Sequence, residues 1–391
     1  MEEIRLDREK QQRAMALTQL VAGGLTTSQV ALALGLSVRQ VERLRPRFKL
    51  EGLSCLVHGN TGKEPWNRTP ETVADQIVGF ATGKYLDFNF QHLTEMLAEF
   101  EGITTSPDTV RRTCLSKGVK PTKQKRRKPK GRARREPCAQ EGEMLQLDGS
   151  KHDWLEGRGP KLVLICAIDD ATKRKWAKFF EEETLEGYSE VLKMVAVEKG
   201  LPLAAYHDGL STVSGGRRYS RKVSEESRAQ LKRAYSELGV VCIIAGSPEA
   251  KGRVERSHGT DQDRLCSLLR LRQAKTLRDA NLVLAEYLKG YNRKFTHAAA
   301  NPLPAWQERP RSSLDDIFCI KEERVVAKDN TVKVYGQILS IRPGSPRRSY
   351  SGLTVNIHRR FDLTLGVFYQ GRLVGGTPAR SINRPTKSLR S

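Results

Sequence analysis

The sequence has little of what marks secreted or membrane proteins. Its seven cysteines are isolated from one another, with no Cys-x-x-Cys pair. This spacing argues against a disulfide framework and a zinc knuckle, and favours a reducing compartment. The chain also has no apolar run of about 18 residues, the length that would span a bilayer, and its first ten residues do not have the pattern of a signal peptide. We therefore expect a cytoplasmic protein.

Acidic residues are scarce relative to basic ones. The 391 residues include 68 Lys and Arg against 45 Asp and Glu, which gives a net charge of +23. Such an excess indicates a polyanionic partner, and without a membrane segment the partner that we expect is nucleic acid. A chain of this length is too long for one core, so we expect roughly two to four domains.

The first predicted domain, residues 1–58, has the pattern of a helix-turn-helix. Three helices are predicted over residues 8–50, with a turn at Gly35 and a cap at Ser37 before the third. The alternative is a small protein-binding bundle with a solvated charged face. The residues of the third helix that could reach base edges and phosphates are Arg39, Gln40, Arg43 and Arg45.

A second helical domain is predicted over residues 66–118. Ser106 followed by Pro107 is typical of the first residues of a helix, and this helix carries Arg111 and Arg112. These residues favour a second DNA-binding unit, while a helical spacer is the alternative reading, because propensity alone does not separate the two.

A basic linker, residues 119–137, follows the two helical domains. Residues 117–135 contain eleven basic residues and no acid, and like charges at this density favour an extended segment. Along a duplex it would add affinity without sequence information. The predicted DNA contacts in the linker are Lys125, Arg126, Arg127, Lys128, Lys130 and Arg132.

Three acids between residues 143 and 255 predict an active site. Asp148 lies in an alternating segment typical of a strand, Asp208 follows a short apolar run, and Glu255 lies just inside a long predicted helix. These acids can meet if the strands are neighbours and the helix packs across them. Clustered carboxylates then require hard cations, which suits two Mg²⁺ ions with Mn²⁺ as a substitute. Such a pair serves substitution at a phosphodiester.

The motifs around these acids resemble those of a known family. Leu-Gln-Leu-Asp-Gly-Ser-Lys-His-Asp-Trp, His-Asp-Gly and Lys-Gly-Arg-Val-Glu-Arg-Ser-His-Gly-Thr are similar to the DDE motifs of bacterial insertion-sequence transposases of the ISNCY type, in the integrase branch of the ribonuclease H fold. The last spacing, 255 − 208 = 47 residues, is the long spacing of this subgroup. The resemblance implies that Asp148, Asp208 and Glu255 are both the catalytic residues and the metal ligands.

The catalytic domain is predicted over residues 138–310, in the order strand, strand, strand, helix, strand, helix, strand, helix. Asp169 and Asp170 are interpreted as turn residues rather than as part of the site. His258 shares a helix face with Glu255. It is expected either to touch the scissile phosphate or a metal-bound water, or to be a plain surface histidine. The resemblance further implies that transposon-end phosphates are held by Arg253, Arg256 and Arg264.

An insertion is predicted at residues 210–238 of this domain. Its first part is basic and contains Arg217 and Arg218, two further predicted DNA contacts, and its second part, residues 227–238, has a helical apolar face. We expect the insertion to become ordered on DNA or on a partner subunit, with an unstructured insertion as the alternative.

The last part of the chain changes to short alternating segments. Residues 320–375 are expected to form a small β-barrel of the SH3-like kind, followed by a basic disordered tail at residues 376–391. The predicted fold class is therefore a multidomain α/β protein: N-terminal helix-turn-helix units, a ribonuclease H-like α/β core and a C-terminal barrel.

These features together predict a DNA transposase. It would bind terminal inverted repeats, cleave at the element ends by metal-dependent hydrolysis and join the 3′-OH ends to target DNA by transesterification. It would act as a homodimer or higher oligomer near the bacterial nucleoid, without a membrane partner. The alternative is a sequence-specific DNA-binding regulator with a non-catalytic core. A ribonuclease H acting on hybrids fits poorly, because such an enzyme needs no site-specific DNA-binding modules.

Overall fold

The computed structural model describes most of the chain. The described residues are 7–58, 60, 64, 66, 68–121, 135–207, 221–244, 252–342, 344 and 347–377, with the side chains of residues 221–225, 228, 252 and 255 left out. They belong to two compact units, residues 1–72 and 73–391. Predictions for residues 122–134, 208–220, 245–251 and 378–391 lie outside the described residues. Among the described residues, no helix combines the length and the apolar composition needed to cross a bilayer.

The first unit contains the predicted helix-turn-helix. Its helices are α1 (Arg8–Val21), α2 (Thr27–Leu34) and α3 (Val38–Glu51), followed by a 3-10 helix at Gly52–Leu56. Thr26 and Ser37 begin α2 and α3 with capping boxes, and Gly35 turns the chain between them with a left-handed φ of 63°. Caps and turn are local features, which is why the sequence alone predicts this motif. Its small core is Leu17, Leu20, Val30, Ala31 and Val41.

A second helical bundle precedes the sheet. It consists of α4 (Glu71–Thr82), which begins at the end of the first unit, α5 (Phe90–Phe100) and α6 (Pro107–Ser116). Ser106 caps α6 and Pro107 occupies its first turn, as predicted. The bundle packs around Ile77, Tyr85, Leu93, Leu97 and Val110, together with partly buried leucines that follow later in the chain.

One five-stranded sheet organises the second unit. Its strands are β1 (Met144–His152), β2 (Leu162–Asp169), β3 (Lys175–Phe180), β4 (Ala204–His207) and β5 (Val241–Ile244), in the order β3-β2-β1-β4-β5. The pairs β1–β2 and β2–β3 are antiparallel, whereas β1–β4 and β4–β5 are parallel. The helices are α7 (Leu185–Glu198), α8 (Arg221–Leu238), α9 (Gly252–Leu271) and α10 (Leu277–Phe295). The predicted order of strands and helices is thus observed.

Helix α8 corrects one prediction. Residues 221–238 were assigned to an insertion, but α8 connects the parallel strands β4 and β5, and Leu231, Ala234, Tyr235 and Leu238 are buried in the core of the sheet. Parallel neighbours require such a crossover helix. The apolar face was predicted from the sequence, and its place in the core was not.

The sheet separates two apolar clusters. Leu145 and Leu147 of β1 point into the cluster formed with α7 and α8. Asp148 points the opposite way, because side chains alternate along a strand; its cross-strand partner Cys166 belongs to the cluster formed with α9 and α10. The alternation of β1 therefore directs Asp148 toward α9.

Helix α10 closes the β3 edge of the sheet with two asparagines. Asn281 accepts a hydrogen bond from the backbone N–H of Phe179 (2.8 Å) and donates to its carbonyl (3.1 Å). Asn292 does the same for Lys175, at 2.9 and 2.8 Å. Unpaired edge groups are a liability in any sheet, and here the edge is capped from within the chain.

The C-terminal part forms two open sheets rather than the predicted closed barrel. After the short helix α11 (Leu314–Ile317), the strands β6 (Ile320–Val325), β9 (Thr354–Arg359), β10 (Leu365–Tyr369) and β11 (Arg372–Gly376) form one sheet in the order β11-β10-β9-β6. The strands β7 (Thr331–Val334) and β8 (Gln337–Ser340) form a separate hairpin. A two-residue turn brings β8 back along β7, so the two strands pair with each other. In the described part of the chain neither strand pairs with a strand of the other sheet. Both sheets share one apolar core, which includes Val332, Val355 and Val367.

Candidate active site and its supporting helix

Asp148 is the member of the predicted triad whose side chain the structure describes. It lies on β1 and keeps 19% of its side chain exposed. His258 on α9 contacts it, with 3.2 Å between His258 Nε2 and Asp148 Oδ2. The same ring nitrogen lies 4.0 Å from Cys166 Sγ on β2. The histidine is therefore neither a plain surface residue nor distant from the acid: it ties α9 to β1 at Asp148.

The environment of His258 favours its charged form. Burial disfavours the imidazolium, but the neighbouring Cys166 and the hydrogen bond to Asp148 outweigh it and raise the pKa of His258 to about 10. The protonated ring donates from Nε2 to the carboxylate. Its other nitrogen, Nδ1, is buried and has no hydrogen-bond partner among the described residues.

The structure places the neighbours of the other two acids. Leu147 and His207, which directly precede Asp148 and Asp208 in the chain, are register partners in the parallel strands β1 and β4. Asp208 itself and the side chain of Glu255 lie outside the described residues. In the remaining described chain, no three His, Cys, Asp or Glu side chains form a group that could hold a metal ion.

Helix α9 contacts β1 through residues that lie just before and just after Glu255 in the chain. The backbone N–H of Val254 donates to Gln146 Oε1 at 3.3 Å, and His258 contacts Asp148. Residue 255 thus belongs to the helical turn that lies against β1. The turn of α9 around residue 255 therefore packs against β1 through Gln146 and Asp148.

A buried polar chain on the opposite side of the sheet supports the ends of β1 and β4. His207 lies 2.5 Å (Nε2 to Oη) from Tyr235 of α8, and its ring packs against Tyr188 of α7. Tyr188 donates to Glu183 at 2.7 Å, and burial, helped by that carboxylate, raises the pKa of Tyr188 far above its ordinary value. A Cβ at Gly149 would lie 2.8 Å from the Glu183 carboxyl carbon.

These buried polar side chains lie next to two of the predicted catalytic acids in the sequence. Gly149, beside Glu183, directly follows Asp148, and His207 directly precedes Asp208. Sequence reasoning missed this polar chain. The sequence presents Tyr188 and Tyr235 only as members of apolar helix faces, and nothing in it distinguishes Glu183 from the neighbouring acids Glu181 and Glu182.

Asp169 and Asp170 have separate structural roles. Asp169 accepts hydrogen bonds from Thr172 and from the N–H of Gly142, which agrees with the predicted turn role, and burial raises its pKa. Asp170 accepts from Gln146 (2.6 Å) and forms ion pairs with Arg135 and Arg253. It therefore joins β1 and α9 rather than shaping a turn alone.

Two of the arginines on α9 that were predicted to contact DNA form ion pairs within the protein. Arg253 pairs with Asp170 at 2.7 Å, and Arg264 pairs with Glu95 of α5 at 2.6 Å; each arginine side chain is 11% exposed. Burial opposes the ionisation of Glu95, but Arg264 and Lys294 outweigh it and lower the pKa of Glu95 to about 2. The structure thus gives both arginines partners inside the protein, whereas Arg256 is exposed.

Between His258 and Arg264, α9 carries a third buried polar contact. Asp261 accepts two hydrogen bonds from the Lys175 ammonium, at 2.8 and 2.6 Å, and neither side chain is more than 1% exposed. Tyr287 also donates to Asp261 (2.9 Å), and Lys175 lies 4.1 Å from the Tyr291 ring centroid. Residues 258, 261 and 264 therefore form a polar row along the buried face of α9.

The predicted contacts on the helical domains remain at the surface. Arg39, Arg43 and Arg45 are exposed on α3, and Arg111 and Arg112 are exposed on α6. Gln40 is exposed as well, but its side chain accepts from the Ser37 N–H in the capping box. The remaining predicted contacts lie outside the described residues: Lys125, Arg126, Arg127, Lys128, Lys130, Arg132, Arg217 and Arg218.

Comparison with known proteins identifies the family. The model of the winged helix-turn helix family matches residues 13–74. The putative transposase y4bF of Sinorhizobium fredii (strain NBRC 101917 / NGR234) is 33% identical over 364 residues, which cover 92% of this chain and 79% of that protein. The chain belongs to this transposase family. The transposase for insertion sequence IS1202 of Streptococcus pneumoniae is 28% identical over 359 residues, with 82% and 75% coverage.

The solved structures with similarity to this transposase include integrase catalytic cores. The catalytic core domain of BIV integrase has 18% identity and a TM-score of 0.27, covering 39% of this chain and 85% of that one. The dimeric HTLV-2 integrase catalytic core in complex with magnesium has 15% identity and a TM-score of 0.30, covering 41% and 92%.

Proposed function

We propose that this transposase cuts and joins DNA by a DDE mechanism, with Asp148, Asp208 and Glu255 as the ligands of two divalent cations. The meeting of β1, β4 and α9 carries the proposal. Parallel pairing extends to Leu147 and His207, the last residues before the two aspartates. This register supports a shared position for the two carboxylates at one end of the sheet.

Helix α9 supports the third ligand. Val254 and His258, on either side of Glu255, contact Gln146 and Asp148. Three carboxylates offer only oxygen donors, which suits Mg²⁺, with Mn²⁺ as a substitute, and Asp148 retains enough exposure for an ion to reach it. Bound Mg²⁺ would supply Lewis-acid stabilisation of the charge that develops on the phosphate oxygens.

The protein's own residues orient the metal ligands and hold the DNA. His258 contacts Oδ2 of Asp148, so it acts as a positioning residue for that carboxylate. His207 and Tyr235 anchor the end of β4. Exposed Arg39, Arg43 and Arg45 of α3 bind the terminal inverted repeats, and Arg111, Arg112 and Arg256 add phosphate contacts. Further phosphate contacts are assigned to the basic residues Lys125, Arg126, Arg127, Lys128, Lys130, Arg132, Arg217 and Arg218.

Two substitutions at phosphorus complete the reaction. Water attacks the phosphodiester next to the element end, and the 3′ oxygen leaves and takes up a proton. The resulting 3′-hydroxyl then attacks a phosphodiester of target DNA, loses its proton and displaces the target 3′ oxygen, so the number of phosphodiester bonds is unchanged. Both ends must react together, which requires a homodimer or a higher oligomer.

Charge-neutral variants of the three acids test the proposal. Asp148→Asn, Asp208→Asn and Glu255→Gln should each abolish Mg²⁺-dependent cleavage and joining of end oligonucleotides while retaining end binding. Asp153→Asn is the matched control, because Asp153 is an exposed acid on the same stretch whose carboxylate accepts from the N–H of Gly157 in a turn. Full cleavage by any of the three variants, or loss in the control alone, would remove the assignment of these acids, whereas a wild-type protein that binds the ends without cleaving them would favour the regulator.

A further inference from the structure

The hairpin β7–β8 presents an outward surface that the core does not use. Val332, Val334 and Leu339 point into the shared apolar core. On the other side, Lys333 lies opposite Ile338 in the register, and Ile338 is 68% exposed. The loop between the strands carries Tyr335, which is 44% exposed. Single exposed apolar residues are ordinary, but here an aromatic and an aliphatic side chain adjoin a cation at one hairpin end.

The backbone at the hairpin end is unfavourable for the residue that it carries. Tyr335 and Gly336 both have a positive φ, 49° and 75°, in a two-residue loop between the paired Val334 and Gln337. This is the type I′ geometry, for which Asn-Gly is the preferred sequence. A bulky side chain in the left-handed region has a conformational cost and often marks a functional position. The needs of the turn alone would be met better by asparagine.

The segment that runs from the hairpin through β9 carries charge of one sign. Residues 330–361 contain six Lys and Arg and no Asp or Glu. One of the six, Arg360, is paired with Asp316. Arg359 on β9 instead lies over the Tyr335 ring, with its guanidinium carbon 4.5 Å from the ring centroid. An aromatic ring with a cation fixed beside it, in an acid-free segment, is complementary to a nucleotide: a base for the ring and a phosphate for the cation.

We propose that the end of the β7–β8 hairpin is a DNA contact in which Tyr335 stacks on an unpaired or unstacked base, while Lys333 and Arg359 hold the neighbouring phosphates. Aromatic stacking is tolerant of base identity, and the exposed Ile338 of the same hairpin can fill the opened base step. The inference rests on the proposed function, in that the DNA is the substrate of the transposase. The proposed contact lies outside the catalytic domain and recognises DNA in which a base is unpaired or unstacked.

Tyr335→Asn separates the two roles of the residue. Because asparagine suits the type I′ turn, the variant should melt at the same temperature as the wild type or higher. Its dissociation constant for a duplex with one unpaired 2-aminopurine should nevertheless rise about tenfold, and the fluorescence change of the 2-aminopurine on binding should be lost. Tyr335→Phe keeps the ring and should behave as the wild type. Leu373→Asn, at a 62% exposed position of β11, is the matched control and should change neither quantity.

Three results would overturn the proposal: unchanged affinity and fluorescence in Tyr335→Asn, a loss of affinity that only follows a lowered melting temperature, or a loss of binding to anionic vesicles with DNA binding intact. Failure of the proposed function gives a different pattern. In that case the full-length wild-type protein does not cleave end oligonucleotides, although its binding still depends on Tyr335.

Discussion

Helices α3 and α9 use the same residue type in opposite ways. On α3, Arg39, Arg43 and Arg45 are exposed, and the buried residue of the helix is Val41. On α9, Arg253 and Arg264 are almost fully buried and each pairs with an acid of another element. A surface arginine costs the fold little and remains available to a phosphate. A buried arginine is bound by its partner and contributes to the position of the helix.

The position of α9 matters because the helix carries Glu255. Its buried face alternates apolar residues such as Leu265 with the polar row of His258, Asp261 and Arg264. These three side chains contact β1, β3 and α5 respectively. Charged groups in a protein interior require partners with good geometry, and removing one partner is far more costly than removing both. The polar row therefore fixes the rotation and the translation of α9 over Asp148, which an apolar stripe alone would leave less specific.

The largest effect on stability is expected from breaking the most buried pair of the row. Asp261→Asn leaves the Lys175 ammonium at 0% exposure without its counter-charge, and we expect a loss of about 3–5 kcal/mol in the free energy of unfolding. Urea unfolding followed by the fluorescence of Trp154, which is buried beside the same elements, measures it.

The control for this prediction removes both charges. Lys175→Met combined with Asp261→Leu should recover most of the stability, since no charge is then left unpaired. Equal destabilisation of the single and double variants would mean that packing, and not charge, explains the effect, and the comparison with α3 would lose its basis.

The next effect is expected at the end of the row, where Arg264 meets Glu95. Arg264→Met keeps the packing of the stem and removes the two hydrogen bonds to the carboxylate, so we expect a loss of about 1–3 kcal/mol. Glu95→Gln and the double variant complete a double-mutant cycle, and a coupling energy near zero would contradict the assignment. End binding should be unchanged in Arg264→Met, in contrast to substitutions on α3.

The sequence predicts those features that depend on neighbours in the chain. Gly35 and Ser37 predict the start of α3, and alternating apolar and polar residues predict β1. The helical spacing of apolar residues predicts the buried face of α8, which consists of Leu231, Ala234, Tyr235 and Leu238. Asp148 could be predicted as a site residue because its strand and its motif are local. What the sequence does not reveal are contacts between distant segments: nothing in the helical spacing of α9 indicates that Arg264 meets Glu95, 169 residues away.

The same reason explains the two main misses. Tyr188 and Glu183 support the ends of β1 and β4 only because α7 crosses the far side of the sheet. The closed C-terminal barrel was inferred from the number of short strands. Strand number does not specify which strands pair, and the turn at Tyr335 and Gly336 pairs β7 with β8 instead.

A smaller effect is expected from pH through His92, which lies beside the Arg264 end of the row. Burial first, and then Arg264, lower its pKa to about 4. The unfolded chain, with a pKa near 6.5, then binds more protons between pH 6.5 and 4, so stability falls as the pH falls through this window. We expect the difference between pH 7 and pH 5 to be about 1–2 kcal/mol smaller in His92→Phe, which preserves the stacking on Phe88.

The exposed His297 provides the comparison for that measurement. His297→Gln should leave the pH dependence of unfolding as it is in the wild type. A wild-type pH profile in His92→Phe would show that the buried imidazole does not titrate as its surroundings require.

The smallest effect on stability, and the sharpest test of the contrast between the helices, is expected from Arg43→Ala on α3. Because the side chain is exposed and alanine favours helices, the free energy of unfolding should change by no more than about 0.5 kcal/mol. Affinity for the terminal repeat should fall, and the slope of log K against log salt should decrease by about one unit, because one phosphate contact is lost. Arg47→Ala is the matched control, since Arg47 is exposed on the same helix but pairs with Glu51. Equal losses of affinity in both variants would mean that net charge, rather than the position of Arg43, governs binding. A large loss of stability in Arg43→Ala would mean that the arginines of α3 have a structural role like those of α9.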